Sequence, residues 1–250
     1  MTATRAEVCV VACAEAWRGD GEILASPMGV VPTIGARLAR LTFSPDLLLT
    51  DGEAMLIADV PALGEPATAV EGWLPFRRHL ALVTGGRRHV MMGASQLDRH
   101  GNQNISCVGD WRRPARQLLG VRGAPANTLN HPTSYWIPRH SPRVLVEKVD
   151  MVCGVGYDRA AAAGPSATRF HRIPRVVTDL AVLDFETPDR TMRVRSLHPG
   201  VTAEELRAAT GFRLDVPDHA PRTRAPTAEE LRLIRDVLDP RALRGEEVRT

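Results

Sequence analysis

The feature that most constrains this chain is a strand, a helix and a second strand in close order between residues 22 and 49. Glu22 to Ala25 reads as a short strand. Pro32 suits the first turn of a helix, where its missing N–H would have no partner anyway, and Thr33 to Leu41 continue that helix. Pro45 stops the region, and Leu47-Leu48-Leu49 is the next strand. This order makes a βαβ unit, which requires a parallel sheet. The strands are continuous apolar runs rather than alternating patterns, as expected for strands covered on both faces.

The rest of the chain can be read in the same way. Thr4-Arg5-Ala6-Glu7 has capping-box spacing, and the helix it opens runs to Trp17 before Gly19-Asp20-Gly21 ends it. Leu80 to Val83 and His89 to Met92 read as strands joined by Gly85-Gly86. Val144 to Val149 and Val176 to Phe185 are further strands. Asp189-Arg190 is a hairpin turn, after which Met192 to Ser196 pair back. Thr202 to Glu205 and Thr227 to Glu230 repeat the capping box at the starts of two more helices. Residues 216–226 are Pro-rich and read as an extended connector. The expected organisation is a single domain over residues 1–250, with a C-terminal helical extension from about residue 216 to 250.

Composition excludes several classes of function. Hydrophobic residues make up 44% of 250, enough for a sizeable core, and only 4% are aromatic, so Val, Leu, Ile and Ala must fill it. Lys148 is the one lysine, and no basic run exceeds two residues, so no nucleic-acid partner is expected. Cys9, Cys13, Cys107 and Cys153 form no CxxC pair, which argues against a metal site or a disulfide framework and suits a reducing cytosol. Glu7 interrupts the N-terminus, and no segment approaches the ~20 apolar residues that span a bilayer. A soluble, cytoplasmic protein with no membrane partner is expected.

Three stretches carry a family likeness. Gly93-Ala94-Ser95-Gln96-Leu97-Asp98-Arg99-His100-Gly101-Asn102-Gln103-Asn104 matches a Gly-Ala-x-Gln-x-Asp-x-x-Gly-Asn-x-Asn motif. Val146-Glu147-Lys148-Val149-Asp150 is the second stretch. The third is Val177-Thr178-Asp179-Leu180-Ala181-Val182-Leu183-Asp184-Phe185, followed by His198-Pro199-Gly200-Val201-Thr202 and Thr210-Gly211-Phe212. Together they resemble the beta subunit of family I coenzyme A transferases, from about residue 5 to residue 240. The resemblance implies an α/β fold: an open three-layer α/β/α sandwich with a mostly parallel sheet. It also implies an acyl-CoA substrate and a separate alpha subunit, assembled as α2β2. Read physically, Asp98, Gly101 and the two asparagines suit a tight loop in which side chains bond local amides, and His198-Pro199-Gly200 reads first as a turn.

The chain departs from that family in two places. Transferases of the family carry a glutamate that attacks the thioester and holds CoA covalently. The equivalent stretch here is Leu49-Thr50-Asp51-Gly52-Glu53-Ala54, and in neither plausible register does Glu53 fall on the nucleophile. Asp51 is one methylene shorter than Glu, and nucleophilic attack is sensitive to displacements of ~1 Å. Asp51-Gly52 also reads as a simple turn. The second departure lies in Leu119-Gly120-Val121-Arg122-Gly123-Ala124-Pro125-Ala126-Asn127, where the family has a Gly-Ser-Gly-Gly-Ala-like strand end whose small residues let backbone amides approach the acyl group. Arg122 and Pro125 alter this loop, while Gly120 and Gly123 remain. The following Asn127 to Trp136 reads either as a well-satisfied surface loop or as a pocket wall with Asn127 and His131 as donors.

With Glu71 to Phe76 and Tyr135 to His140, these departures resemble one subgroup of the family, the beta subunits of actinobacterial ring-opening CoA-thioester hydrolases of steroid degradation. That resemblance implies water addition to a ring ketone and C–C cleavage. The main base would come from the alpha subunit, with Asp51 and Glu53 as candidate catalytic residues on this chain. Gly120, Gly123, Asn127 and His131 would bind substrate. No cofactor is expected apart from the coenzyme A carried by the substrate. Two alternatives stand beside this: a CoA transferase acting through Glu53 or Asp51, and a non-catalytic scaffold for the alpha subunit.

Overall fold

The computed structural model describes residues 2–52, 54–217 and 219–248. The chain divides into two compact units, Met1–Met92 with Thr223–Thr250, and Gly93–Arg222.

In the first unit, helix α1 (Arg5–Ala14) begins at the expected capping box. The Thr4 hydroxyl accepts from the Glu7 amide at 3.3 Å, and the Glu7 carboxylate accepts from the Thr4 amide at 2.8 Å. A 3₁₀ turn, Glu15–Trp17, carries the helix to its predicted end. Strand β1 (Leu24–Pro27), helix α2 (Val30–Thr42) and strand β2 (Leu49–Thr50) form the predicted βαβ unit, with Leu24 bridging Leu48 in parallel. Helices α1 and α2 pack closely at Gly35. A Cβ there would lie 2.9 Å from the Cys13 Cβ and 3.0 Å from the Val10 carbonyl oxygen, so only glycine permits this approach.

Strand β2 folds back onto β3 (Met55–Ile57), which pairs antiparallel with β4 (Val70–Trp73). Helix α3 (Phe76–Gly85) and strand β5 (Arg88–Met92) follow. The strand expected at Leu80 to Val83 is therefore wrong: these residues lie in α3. A short apolar run does not reveal its own period, and Phe76, Leu80 and Val83 are spaced as one helical face. Gly86 belongs to the helix end, where its amide bonds the Leu82 carbonyl at 3.1 Å, rather than to a hairpin. Strand β5 pairs in parallel with β1 from Leu24↔Arg88 to Pro27↔Met91, and all five of its residues are buried.

In the second unit, β6 (Gln96–Asp98) and β7 (Gln103–Asn104) pair antiparallel around the Asp98–Asn102 loop. A second hairpin joins β8 (Cys107–Val108) to β9 (Arg116–Gln117). Next come α4 (Ala124–Asn130), β10 (Thr133–Ile137) and β11 (Leu145–Val146), the last parallel to β6. The strand expected over Val144 to Val149 is thus shorter than predicted. Helices α5 (Tyr157–Ala163) and α6 (Pro165–Thr168) precede β12 (Val176–Thr178), β13 (Ala181–Asp184), β14 (Arg193–Leu197) and α7 (Ala203–Ala208). Strand β10 is parallel to β12, whereas β12, β13 and β14 run antiparallel in turn. The long run from Val176 to Phe185 is two strands, because the Thr178 hydroxyl accepts from the Leu180 and Ala181 amides at 3.1 and 3.0 Å and closes a turn between them.

The C-terminal segment belongs to the first unit. Helix α8 (Ala228–Arg232) starts at the predicted Thr227 capping box and runs into a π-helical stretch, Leu233–Leu238, then α9 (Arg244–Glu247). Its anchor is the buried Glu7, which accepts from Arg235 Nε at 2.7 Å and Arg244 Nη2 at 3.0 Å. Burial alone would raise the Glu7 carboxyl, but the Arg235 hydrogen bond, the Thr4 amide and the charges of Arg244 and Arg235 outweigh it and hold the pKa at about 2. Among the described residues no helix is long and apolar enough to cross a membrane.

Candidate active site

The stretch from Asn127 to Trp136 is not a surface loop. It closes α4 and continues into β10, and Asn127 and His131 are 4% and 1% exposed. Gly120 has φ +86°, in the region that favours glycine, and open space where a Cβ would stand, so its role is conformational. Arg122 also adopts a positive φ, +51°, an uncommon state for a residue with a side chain. Gly123 precedes α4, and its carbonyl accepts from the Asn127 amide at 3.0 Å. One turn later the Asn127 carbonyl accepts from the His131 amide at 3.0 Å. Gly123, Asn127 and His131 are therefore brought into one helical row. The Thr133 hydroxyl lies 3.2 Å from the Asn127 carbonyl and 3.1 Å from that of His131, which satisfies the helix end. Tyr135 follows on β10, and burial pushes its phenol well above its usual range. Its hydroxyl is buried and has no hydrogen-bond partner among the described residues.

Asp51 lies in the first unit, at the exposed tip of the β2–β3 hairpin. Its Oδ1 accepts from the amides of Ala54 and Met55, both at 3.0 Å, and its own amide bonds the Met55 carbonyl at 3.1 Å. Gly52 has φ +91°, which only glycine adopts readily. The carboxylate thus closes the turn, as the local Asp-Gly signal predicts. Glu53, the other acidic candidate, lies outside the described residues.

The motif around Asp98 is a folding device. Asp98 Oδ1 accepts from the amides of His100 and Asn102 at 3.0 Å, and Oδ2 from Asn102 Nδ2 at 3.0 Å. Burial pushes the Asp98 carboxyl up, against the lowering effect of the Asn102 and His100 hydrogen bonds. Asn104 accepts from the Ser106 amide at 2.9 Å and donates to Gln96 at 2.7 Å.

Sequence reasoning missed His140. Its Nδ1 lies 3.1 Å from the Thr178 hydroxyl and its Nε2 2.9 Å from the Thr210 hydroxyl, while Asp179 accepts from its amide at 2.7 Å. His198 Nε2 lies 2.9 Å from the Thr178 carbonyl. The Thr178-Asp179, His198 and Thr210 stretches quoted above thus converge on one buried network. The only signal for His140 was its place after Tyr135-Trp136, a weak one. Among the described residues no group of three or more His, Cys, Asp or Glu could hold a metal ion.

The coenzyme A transferase family profile matches residues 80–209. The chain is 58% identical to the cholesterol ring-cleaving hydrolase IpdB subunit of Rhodococcus jostii (strain RHA1), over 98% of this chain and 96% of that one. The chain belongs to the coenzyme A transferase family. The corresponding IpdB subunit of Mycobacterium tuberculosis (strain H37Rv) is 56% identical over 99% of both chains. The crystal structure of Rhodococcus jostii RHA1 IpdAB superimposes with a TM-score of 0.96 at 56% identity, covering all of both chains. The α/β fold with a largely parallel sheet expected from the sequence is thus the fold of the family.

Proposed function

We propose that this chain is the beta subunit of a hydrolase that opens a ring of a keto acyl-CoA intermediate of cholesterol degradation. The observation that carries this reading is the 58% identity to the Rhodococcus jostii cholesterol ring-cleaving hydrolase IpdB subunit over nearly the whole of both chains.

In this reaction water adds to a ring carbonyl placed β to the thioester. The hydrate then collapses, and the C–C bond between that carbon and the thioester α-carbon breaks. The bonding pair enters the thioester as an enolate, which takes a proton at carbon, and the former ketone leaves as a carboxylate. The chemistry needs a carboxylate base to activate water, and donors to hold the developing oxyanions. A nucleophilic side chain is not required.

In this reading the base comes from the alpha subunit, and Asp51 and Glu53 at most help to orient water; the two turn amides held by Asp51 Oδ1 support it. The loop from Gly120 to Gly123 supplies backbone amides, and Asn127 and His131 supply a buried polar wall. The working form is an α2β2 assembly in the cytosol, and coenzyme A enters as part of the substrate rather than as a cofactor. Turnover of a ring-ketone CoA thioester by the assembled complex in ¹⁸O-labelled water tests the reading. The new carboxylate carries one label from solvent. An unlabelled product, or no C–C cleavage, contradicts it.

A further inference from the structure

The β8–β9 hairpin presents a cluster that the reaction above does not use. Trp111, Arg112, Arg113 and Arg116 are all exposed, Trp111 by 64%. The Arg112 guanidinium stands 5.4 Å from the Trp111 ring centroid. Among the described residues no carboxylate pairs with Arg112, Arg113 or Arg116. Asp110, the acid within the hairpin, accepts from the Arg112 amide at 2.8 Å and so shapes the turn.

The base of the hairpin is fixed. The Gly109 amide donates to Asp150 at 2.9 Å, and Asp150 is held in turn by Gln96 Nε2 at 2.9 Å. Gln117 Nε2 and the Leu118 amide both donate to the Ser106 carbonyl, at 3.1 and 2.8 Å. Three exposed guanidinium groups with no carboxylate partner among the described residues, and an exposed indole with Arg112 over its ring, thus share a hairpin whose base is held by hydrogen bonds. Guanidinium forks match phosphate oxygens, and an indole face stacks on a nucleobase. The chain runs from β9 directly into the Gly120 to Gly123 loop, where the resemblance places the thioester. Coenzyme A carries phosphates, a purine and the thioester on one molecule.

We propose that the β8–β9 hairpin binds the 3′-phosphoadenosine diphosphate end of the CoA thioester. Arg112, Arg113 and Arg116 contact its phosphates and Trp111 packs on the adenine. This rests on the CoA-thioester reading above, but not on the ring-opening step.

The test is calorimetric titration of the assembled complex with coenzyme A, 3′-dephospho-CoA and an acyl-pantetheine thioester. Replacing Arg112, Arg113 and Arg116 together by Ala weakens coenzyme A at least about tenfold. It weakens 3′-dephospho-CoA less and leaves the pantetheine thioester unchanged. Trp111→Ala weakens both nucleotide ligands to a similar degree. Unchanged coenzyme A affinity in the triple variant overturns the proposal, as does an equal loss for the pantetheine thioester. If the triple variant and Arg113→Ala alone both fail to assemble, the hairpin is a subunit contact and the proposal is also overturned. A wild-type complex that binds none of the three ligands contradicts the CoA-thioester reading itself.

Discussion

Asp51 Oδ1 accepts a hydrogen bond from the Met55 amide at 3.0 Å and a second from Ala54 at the same distance. A carboxylate following an apolar strand is therefore built into a hairpin turn. Asp51→Asn keeps the acceptor oxygen, so kcat of the assembled complex stays within about threefold of wild type. Asp51→Ala removes the acceptor and costs about 1 kcal/mol in urea unfolding. A loss of kcat by about a hundredfold or more in Asp51→Asn would identify Asp51 as a base.

Glu7 ties the first helix to the C-terminal segment, with Arg244 237 positions away in sequence. Glu7→Gln leaves Arg244 buried beside a neutral amide and costs about 3 kcal/mol or more in chemical denaturation. The carboxyl is held at about 2, below its ordinary 4.5. Its stabilisation is complete above pH 4.5 and is lost as pH falls toward 2. Glu7→Gln is accordingly less acid-sensitive than wild type over that window, as circular dichroism against pH would show.

His140 gives a second, separate pH dependence. Burial lowers its pKa from 6.5 to about 4, so the folded protein holds it neutral. Between those values the unfolded chain binds the extra proton, and stability is lost as pH falls from 6.5 to 4, with a slope of up to about 1.4 kcal/mol per pH unit. His140→Gln flattens this part of the profile even though it lowers stability at neutral pH. An unchanged slope would show that another group is responsible.

Arg122 carries a strain that glycine would remove. Arg122→Gly raises stability by about 0.5–1 kcal/mol, because a side chain at φ +51° is disfavoured. A lower melting temperature for the variant would show that contacts of the arginine outweigh the backbone cost.

The parts of the fold legible in the sequence are those set by local chemistry. Proline at the start of α2, the Thr4 and Thr227 capping boxes and the Asp189-Arg190 turn act over a few residues, and each appears where expected. Helix α3 was misread because Leu80 to Val83 is too short to distinguish a period of two from one of 3.6. The break at Thr178 was missed because a hydroxyl closing a turn leaves no Gly or Pro behind. At the candidate site, the glycines of the Gly120 loop and the Asp51 turn were readable. The burial of Asn127 and His131 was not, since polar residues in sequence look the same on a surface as inside a satisfied helix end. Nor could His140 be placed, because its partners Thr178 and Thr210 lie 38 and 70 residues away.

The central claim is that water, and no side chain of this polypeptide, attacks the substrate. Intact-mass spectrometry of the complex, quenched during turnover after borohydride or hydroxylamine trapping, tests it most directly. The mass of this chain is predicted to stay unchanged. A coenzyme A or acyl adduct mapped to Asp51 or Glu53, or the trapped derivative of one, would contradict the account.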